Sequence, residues 1–348
     1  MTDTSQSPVA ISVVIPLYNA EKFIGACLGS ILSQTFKDYE VIIVDDCATD
    51  DSAAIVESFI SQFDGRLKIF RMENNSGVPG IPINKGIALA SGKYIFAMDD
   101  DDLLIDNALE TLYNFAENYR ADVVYTERYF YIKDKSNAPF PNPENVHITQ
   151  QKISDKPTLE TENISERIEK FLANKFEFPA WNKLIRRDLL TKNEISFPAT
   201  PIYHDLIWSL QVIYFAKKIL RIPDALYFYR VHSNSLTQKY RSNEEFIKFC
   251  LTTSVEGISI LDKFLSGQKF FQDNPQYHCA LLNFFEMIFV KLIEMNKLRI
   301  QPHEVYKALC DSFSEKFGEY GNLIAYLCAS SNFSQLALIK ANQLMQRR

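Results

Sequence analysis

The stretch Tyr94-Ile-Phe-Ala-Met-Asp-Asp-Asp-Asp102 decides how this chain is read. An apolar run makes a short buried strand, and four consecutive carboxylates follow it without a break. Like charges this close repel, so the arrangement calls for a compensating cation. Open α/β sheets bind ligands outside the carboxyl ends of their strands, and an all-oxygen set of carboxylates suits a hard divalent ion such as Mg2+ or Mn2+. The alternative is a solvated loop whose last member, Asp102, N-caps a helix beginning near Leu103, because Asp is a common N-cap.

Outward from this stretch the first third of the chain alternates strand and helix signals. Ile11 to Ile15 is a β-branched run stopped by Pro16, after which Phe23, Ile24, Cys27, Leu28, Ile31 and Leu32 repeat at helical spacing. Tyr39 to Val44 reads as a second buried strand, followed by the acidic loop Asp45 to Asp51 and a helix from Ser52 to Phe63. Leu67 to Met72 is a third strand, Ile83 to Ala90 a helix, and Tyr94 to Met98 the fourth strand. This alternation predicts right-handed crossovers and a doubly wound, mostly parallel sheet with flanking helices. The loops at Asp45/Asp46 and Asp99 to Asp102 then open onto one crevice. Pro16-Leu-Tyr-Asn19 follows the first strand in place of a GxGxxG turn, and there is no P-loop, so a dinucleotide-binding dehydrogenase is poorly supported. What remains is a mononucleotide site with carboxylates on base or ribose and a metal on the diphosphate.

Composition sets the outer limits. A chain of 348 residues exceeds one average domain. A net charge of −6, with no long basic stripe, argues against nucleic acid as a partner. The six cysteines lie scattered without CxxC spacing and read as core thiols of a reducing compartment. Residues 1–10 form a polar tail with no basic n-region or apolar h-region, so a secretory signal is not expected and the protein is placed in the cytoplasm. The apolar window Leu281 to Ile293 is too short for a bilayer and is interrupted by Asn283, Glu286 and Lys291, so it reads as a buried amphipathic helix.

The ordered set Val14-Ile-Pro-Leu-Tyr-Asn19, Val44-Asp-Asp46 with Asp50, Asn84-Lys-Gly86, Gly92-Lys-Tyr-Ile95 and Met98 to Asp102 resembles the family 2 glycosyltransferases of GT-A fold. Trp181-Asn-Lys-Leu184, Phe197-Pro198, Tyr203-His-Asp205 and Tyr227-Phe-Tyr-Arg-Val-His232 are similar to that family's acceptor half. The resemblance implies nucleotide-sugar contacts at Pro16, Tyr18, Asn19, Asp45, Asp46, Asn84, Asp99, Asp100, Arg230 and His232. It also implies a Mn2+ or Mg2+ ion on Asp101, with His232 as a further ligand, and a catalytic base at Asp205. Trp181, Lys183 and His204 are weaker acceptor-side candidates. Under this resemblance residues 11–125 form the nucleotide-sugar-binding domain and 126–240 the acceptor-binding half.

Inverting transfer needs a carboxylate to take the proton of the attacking hydroxyl, worth roughly 10²- to 10⁴-fold in rate, and a fixed positive charge for the leaving diphosphate. Asp205 is expected to supply the first, or else to N-cap the helix Leu206 to Tyr214. Arg230 and His232 are expected on a loop that folds over the donor. Trp181 is either an aromatic platform for a sugar or a core residue. Arg128 either reaches the acceptor or faces water, and residues 133–156 read as a long loop. Two positions depart from the family pattern: Ala48 where Ser is usual and Ile83 where Arg is usual.

The expected activity is transfer of a sugar from a nucleotide donor, a UDP-sugar, to a glycan or lipid-linked oligosaccharide acceptor in surface polysaccharide synthesis. A non-catalytic sugar-nucleotide-binding subunit and a sugar-phosphate nucleotidyltransferase are the rivals. Residues 241–348 read as an α-helical appendage. Its apolar faces suit packing on the acceptor half, homodimerisation, or docking at the cytoplasmic face of the inner membrane.

Overall fold

The computed structural model describes residues 9–132, 141–149, 154–177, 179–201, 203–231 and 243–295. The chain divides into two compact units, Met1–Ser235 and Leu236–Arg348.

The first unit opens with the alternation the apolar runs predict: β1 (Ile11–Leu17), α1 (Ile24–Leu32), β2 (Tyr39–Asp45), α2 (Ser52–Phe59), β3 (Leu67–Arg71), α3 (Gly80–Leu89) and β4 (Tyr94–Ala97). Pro16 does not stop β1, because the strand runs on to Leu17 against β2. The ladder with β4 has already ended at Val14, so a residue without an N–H is tolerated there. Then come β5 (Leu103–Leu104), α4 (Ala108–Tyr119), β6 (Val123–Ile132), β7 (Val146–Ile148), β8 (Thr158–Leu159), α5 (Ile164–Leu172), β9 (Lys183–Arg186), α6 (Arg187–Lys192), α7 (His204–Phe215) and β10 (Ile219–Arg230). No helix begins at Leu103. Leu103 and Leu104 instead pair antiparallel with Phe228 and Tyr227, and the N-cap of α4 is Asn107, so Asp102 is not a cap.

All ten strands share one sheet, ordered β3-β2-β1-β4-β9-β6-β10-β5, with β7 on β6 and β8 on β10. The β3-β2-β1-β4 half is parallel, β9 runs antiparallel between β4 and β6, and β6 pairs parallel with β10. The strand order reverses at β1, with β2 on one side and β4 on the other. Ligands bind outside the carboxyl ends at such a switch point. Tyr18, Asp45 and Asp99 leave those three strand ends.

β1 and β2 are buried along almost their whole length, as a central parallel sheet covered on both faces requires. Helix α3 lies close over them. A Cβ at Gly86 would stand 2.3 Å from Val14 Cγ1, so only glycine allows the approach. Glu40, buried in the same strand pair, accepts from Ser12 Oγ at 2.7 Å, Lys68 Nζ at 2.9 Å and both Ser91 N and Ser91 Oγ at 2.7 Å. Burial alone raises a carboxyl pKa, but here the hydrogen bonds from Ser12, Lys68 and Ser91 outweigh it and hold Glu40 at about 2. Buried Arg167 on α5 donates to the carbonyls of Ile213, Ala216 and Lys217, which satisfies the C-terminal end of α7.

The second unit contains α8 (Asn243–Ser266), α9 (Lys269–Asp273) and α10 (Pro275–Met295). Leu261, Leu265, Phe271, Leu281, Phe284 and Phe285 are buried, in keeping with the amphipathic patterns. Among the described residues no helix is long and apolar enough to cross a membrane. The further helices expected beyond Met295 lie outside the described residues.

Candidate active site

The acidic run after β4 is held from several sides. Tyr18 N–H donates to Asp100 Oδ2 at 2.9 Å, which ties the first strand end to the fourth. Tyr227 Oη accepts from Asp99 N at 3.2 Å and donates to Asp102 Oδ2 at 2.7 Å, while Arg230 N–H donates to Asp102 Oδ1 at 2.7 Å. Asp102 is fully buried with both oxygens engaged. Burial, and then the charge of Asp101, pushes the carboxyls of Asp99, Asp100 and Asp102 well above the ordinary carboxylate range. Asp99, Asp101 and Asp102 each offer an oxygen, all within 4.8 Å of one another. Crowded, partly desolvated carboxylate oxygens of this kind fit a hard divalent cation.

The second strand end is built around Asp45 and Asp46, both buried. Asp45 Oδ1 accepts from Ala48 N at 2.8 Å, so backbone shapes the loop although Ala48 has no hydroxyl. Asp46 receives Ser76 N and Ser76 Oγ, each at 2.8 Å, and thereby holds the loop that leads into α3. Asn19, at φ +52°, accepts from Thr49 N at 2.8 Å and joins the first loop to the second. Tyr18 is exposed at this mouth (43 %) and Pro16 is half-buried beside it.

Several candidate residues stand elsewhere than the sequence places them. Arg230 ends β10 and is not on a loop. It is buried, with Nε on Asp101 O at 2.8 Å and its guanidinium 4.7 Å from the Phe23 ring centroid. Trp181 takes the core alternative of its two sequence readings: it is buried, stacked on Tyr227 at 4.5 Å and on Tyr229 at 5.4 Å, and presents no open platform. Lys183 is buried, with Nζ on Glu177 O at 2.5 Å, Pro179 O at 2.6 Å and Asn182 Oδ1 at 2.8 Å. Burial pulls its pKa down to about 7 against the opposing charges of Glu177 and Asp205. Asn84 is paired with the backbone of Phe197, and Ile83 is buried. Arg128 turns to Pro223 O, with Nε at 3.1 Å and Nη2 at 3.0 Å. His232 lies outside the described residues.

Asp205 sits in the first turn of α7, whose N-cap is Tyr203 at φ +69°. It is therefore not the cap, and the helix dipole favours its negative charge there. His204 Nε2 is 3.6 Å from Asp205 Oδ1, and buried His204 Nδ1 has no hydrogen-bond partner among the described residues. The charge of Asp205 contributes to the raised pKa of Asp99, so the base candidate and the acidic run share one electrostatic field. Tyr227, Ser76 and Phe197 organise this site; from sequence Tyr227 and Phe197 read only as members of acceptor-half motifs, with no role of their own, and Ser76 is not singled out. For Tyr227 a signal existed in the Tyr227-Phe-Tyr229 alternation, which turns both tyrosine rings to the Trp181 face.

A doubly wound sheet with carboxylate loops at its switch point defines a nucleotide-type α/β site, and the comparisons narrow the class. Residues 12–192 match Glycosyl transferase family 2. The chain is 30% identical over 311 residues to Glycosyltransferase GlyG of Streptococcus pneumoniae serotype 4, covering 86% of this chain and 93% of that protein. It is 27% identical over 321 residues to Poly(ribitol-phosphate) beta-N-acetylglucosaminyltransferase TarS of Staphylococcus aureus, covering 84% of this chain and 52% of that protein. The structure of S. aureus TarS 1-349 in complex with UDP superposes with a TM-score of 0.63 at 22% identity, covering 94% of this chain and 91% of that one. The chain belongs to glycosyl transferase family 2 and is a transferase enzyme of GT-A fold.

Proposed function

We propose that this enzyme transfers a sugar, with inversion, from a UDP-sugar to a hydroxyl of a cell-surface glycan. The observation that carries this reading is the cluster of Asp99, Asp101 and Asp102 oxygens, all within 4.8 Å of one another just past the carboxyl end of β4. Asp45, Asp46 and the Tyr18 loop form the wall for the nucleoside, supported by the fold shared with UDP-bound TarS. Asp101, with Asp99 and Asp102, would hold a divalent cation, which when bound supplies positive charge to the leaving diphosphate. The remaining chemistry belongs to the chain itself. Asp205 accepts the proton of the acceptor hydroxyl as that oxygen attacks the anomeric carbon and the nucleoside diphosphate leaves, and Tyr227 and Arg230 hold the acidic loop through Asp102 and the Asp101 carbonyl.

A hydroxyl-bearing polymer as acceptor is supported by the similarity to TarS, a poly(ribitol-phosphate) beta-N-acetylglucosaminyltransferase. The scattered thiols, of which Cys27, Cys47 and Cys279 are free, support a reducing compartment. The test is UDP release from UDP-N-acetylglucosamine, UDP-glucose and UDP-galactose, with Mn2+ and with EDTA. Turnover of one donor, lost in EDTA, is expected; no turnover with any donor alongside tight UDP binding would favour a non-catalytic nucleotide-binding subunit.

A further inference from the structure

Asn84 and Gly80 lie four residues apart on α3 and so share one face of that helix. Asn84 Nδ2 donates to Phe197 O at 2.8 Å, and Phe197 N–H donates back to Asn84 Oδ1 at 2.8 Å. The amide orientation is fixed by this exchange, since one backbone group needs a donor and the other an acceptor. One turn earlier, a Cβ at Gly80 would meet Phe197 Cβ and Pro198 O, each at 2.9 Å, so the helix backbone can come this close to the loop there only without a side chain. On its far side Phe197 stacks on Trp208, with ring centroids 4.3 Å apart and planes at 14°, and the His204 ring lies 6.3 Å away. Trp208 is buried on α7, one turn beyond His204 and Asp205. α3 in turn follows the loop that Asp46 holds through Ser76.

We propose that Asn84 is a positioning residue: through Phe197 and Trp208 it fixes the first turn of α7, and with it the Asp205 carboxylate, relative to the donor loop. The inference rests on the reading of Asp205 as the base. It replaces the expectation that Asn84 touches the nucleotide, because its carbonyl and one amide hydrogen are engaged with Phe197. Displacing a reacting group by about 1 Å can lower a rate on the order of a hundredfold, so a clamp far from the nucleotide can act on kcat alone.

The experiment compares Asn84→Ala, Gly80→Ala and Asp205→Asn in the full chain. Three quantities are measured: Mn2+-dependent UDP affinity by calorimetry, kcat and KM with UDP-N-acetylglucosamine, and hydrogen exchange at the Phe197 amide and the first turn of α7. For Asn84→Ala the Phe197 amide exchanges at least about tenfold faster, kcat falls about tenfold or more, and UDP affinity stays within about twofold. In the Asp205→Asn background the same substitution removes less than about twofold further, because both act on one step. Gly80→Ala pushes the loop away while keeping the amide and gives the same pattern, which covers failure of the first variant to fold. Unchanged exchange at Phe197, an unchanged kcat, or a loss of UDP affinity in place of kcat would overturn the proposal. A wild-type rate for Asp205→Asn would remove the base assignment instead, and the exchange at α7 would still decide whether Asn84 is a clamp.

Discussion

Tyr227 Oη donates a 2.7 Å hydrogen bond to Asp102 Oδ2 and accepts the N–H of Asp99 at 3.2 Å. One phenol thus spans the acidic run from its first residue to its last. Burial, with the charges of Asp102 and Asp99 behind it, raises the Tyr227 pKa well above its ordinary value, so the hydroxyl remains a neutral donor throughout the working pH range. Tyr227→Phe leaves a buried carboxylate oxygen without this partner, at a cost of about 1–3 kcal/mol. Thermal unfolding should show the loss, and calorimetry should show weaker Mn2+-dependent UDP binding. Equal melting temperature and equal affinity would mean that the phenol does not organise the loop.

The parallel half of the sheet was legible because β1, β2 and β4 are buried on both faces and their apolar runs are continuous. The acidic strand ends were legible because four adjacent carboxylates have few other uses. The roles of Arg230 and Lys183 were not, and that of Trp181 stood between a core and a platform reading. Each is a residue type that could reach substrate, and only the tertiary partners reveal it as buried: Asp101 O for Arg230, three oxygens for Lys183, two tyrosine rings for Trp181. Asp102 was ambiguous for a local reason. Asp before an apolar pair is a fair N-cap signal, but Leu103 and Leu104 find a strand partner in β10.

Asp101 stands between Asp99 and Asp102 in the run, and the three offer carboxylate oxygens within 4.8 Å of one another, the set that would hold the cation. Asp101→Ala should abolish the dependence of UDP binding on Mn2+ while leaving the melting temperature of the metal-free protein unchanged or raised, because one of several crowded negative charges is gone. Calorimetry with UDP in Mn2+ and in EDTA measures this. Equal UDP affinity for the wild-type protein in both buffers would sink the metal assignment.

Glu40 makes acid stability readable at one residue. Its folded pKa of about 2 lies below the ordinary 4.5, so its contribution is full above about pH 5 and is lost as pH falls toward 2. The unfolded chain takes up the proton first. The shift corresponds to on the order of 3 kcal/mol. Denaturant titrations between pH 2 and 7 should show a stability loss in the wild type that is much shallower in Glu40→Gln. Parallel pH profiles for the two proteins would show that the Ser12, Lys68 and Ser91 bonds do not hold the carboxylate ionised.

Asp205 carries the sharpest test. Tyr203 occupies the N-cap of α7, so the helix-capping explanation for Asp205 is gone, and what remains is a carboxylate in the first turn, partly exposed and in the field of Asp99. Asp205→Asn keeps the shape of the side chain but cannot take a proton. UDP should therefore bind as in the wild type, and sugar transfer should slow at least about a hundredfold at saturating donor and acceptor. His204, whose Nε2 is 3.6 Å from Asp205, supplies the control. If the imidazole only orients the carboxylate, His204→Gln lowers the rate far less than Asp205→Asn does. If His204 is itself the base, the order of the two effects reverses. Wild-type transfer by Asp205→Asn would place the base on another residue and end the mechanism proposed for this site.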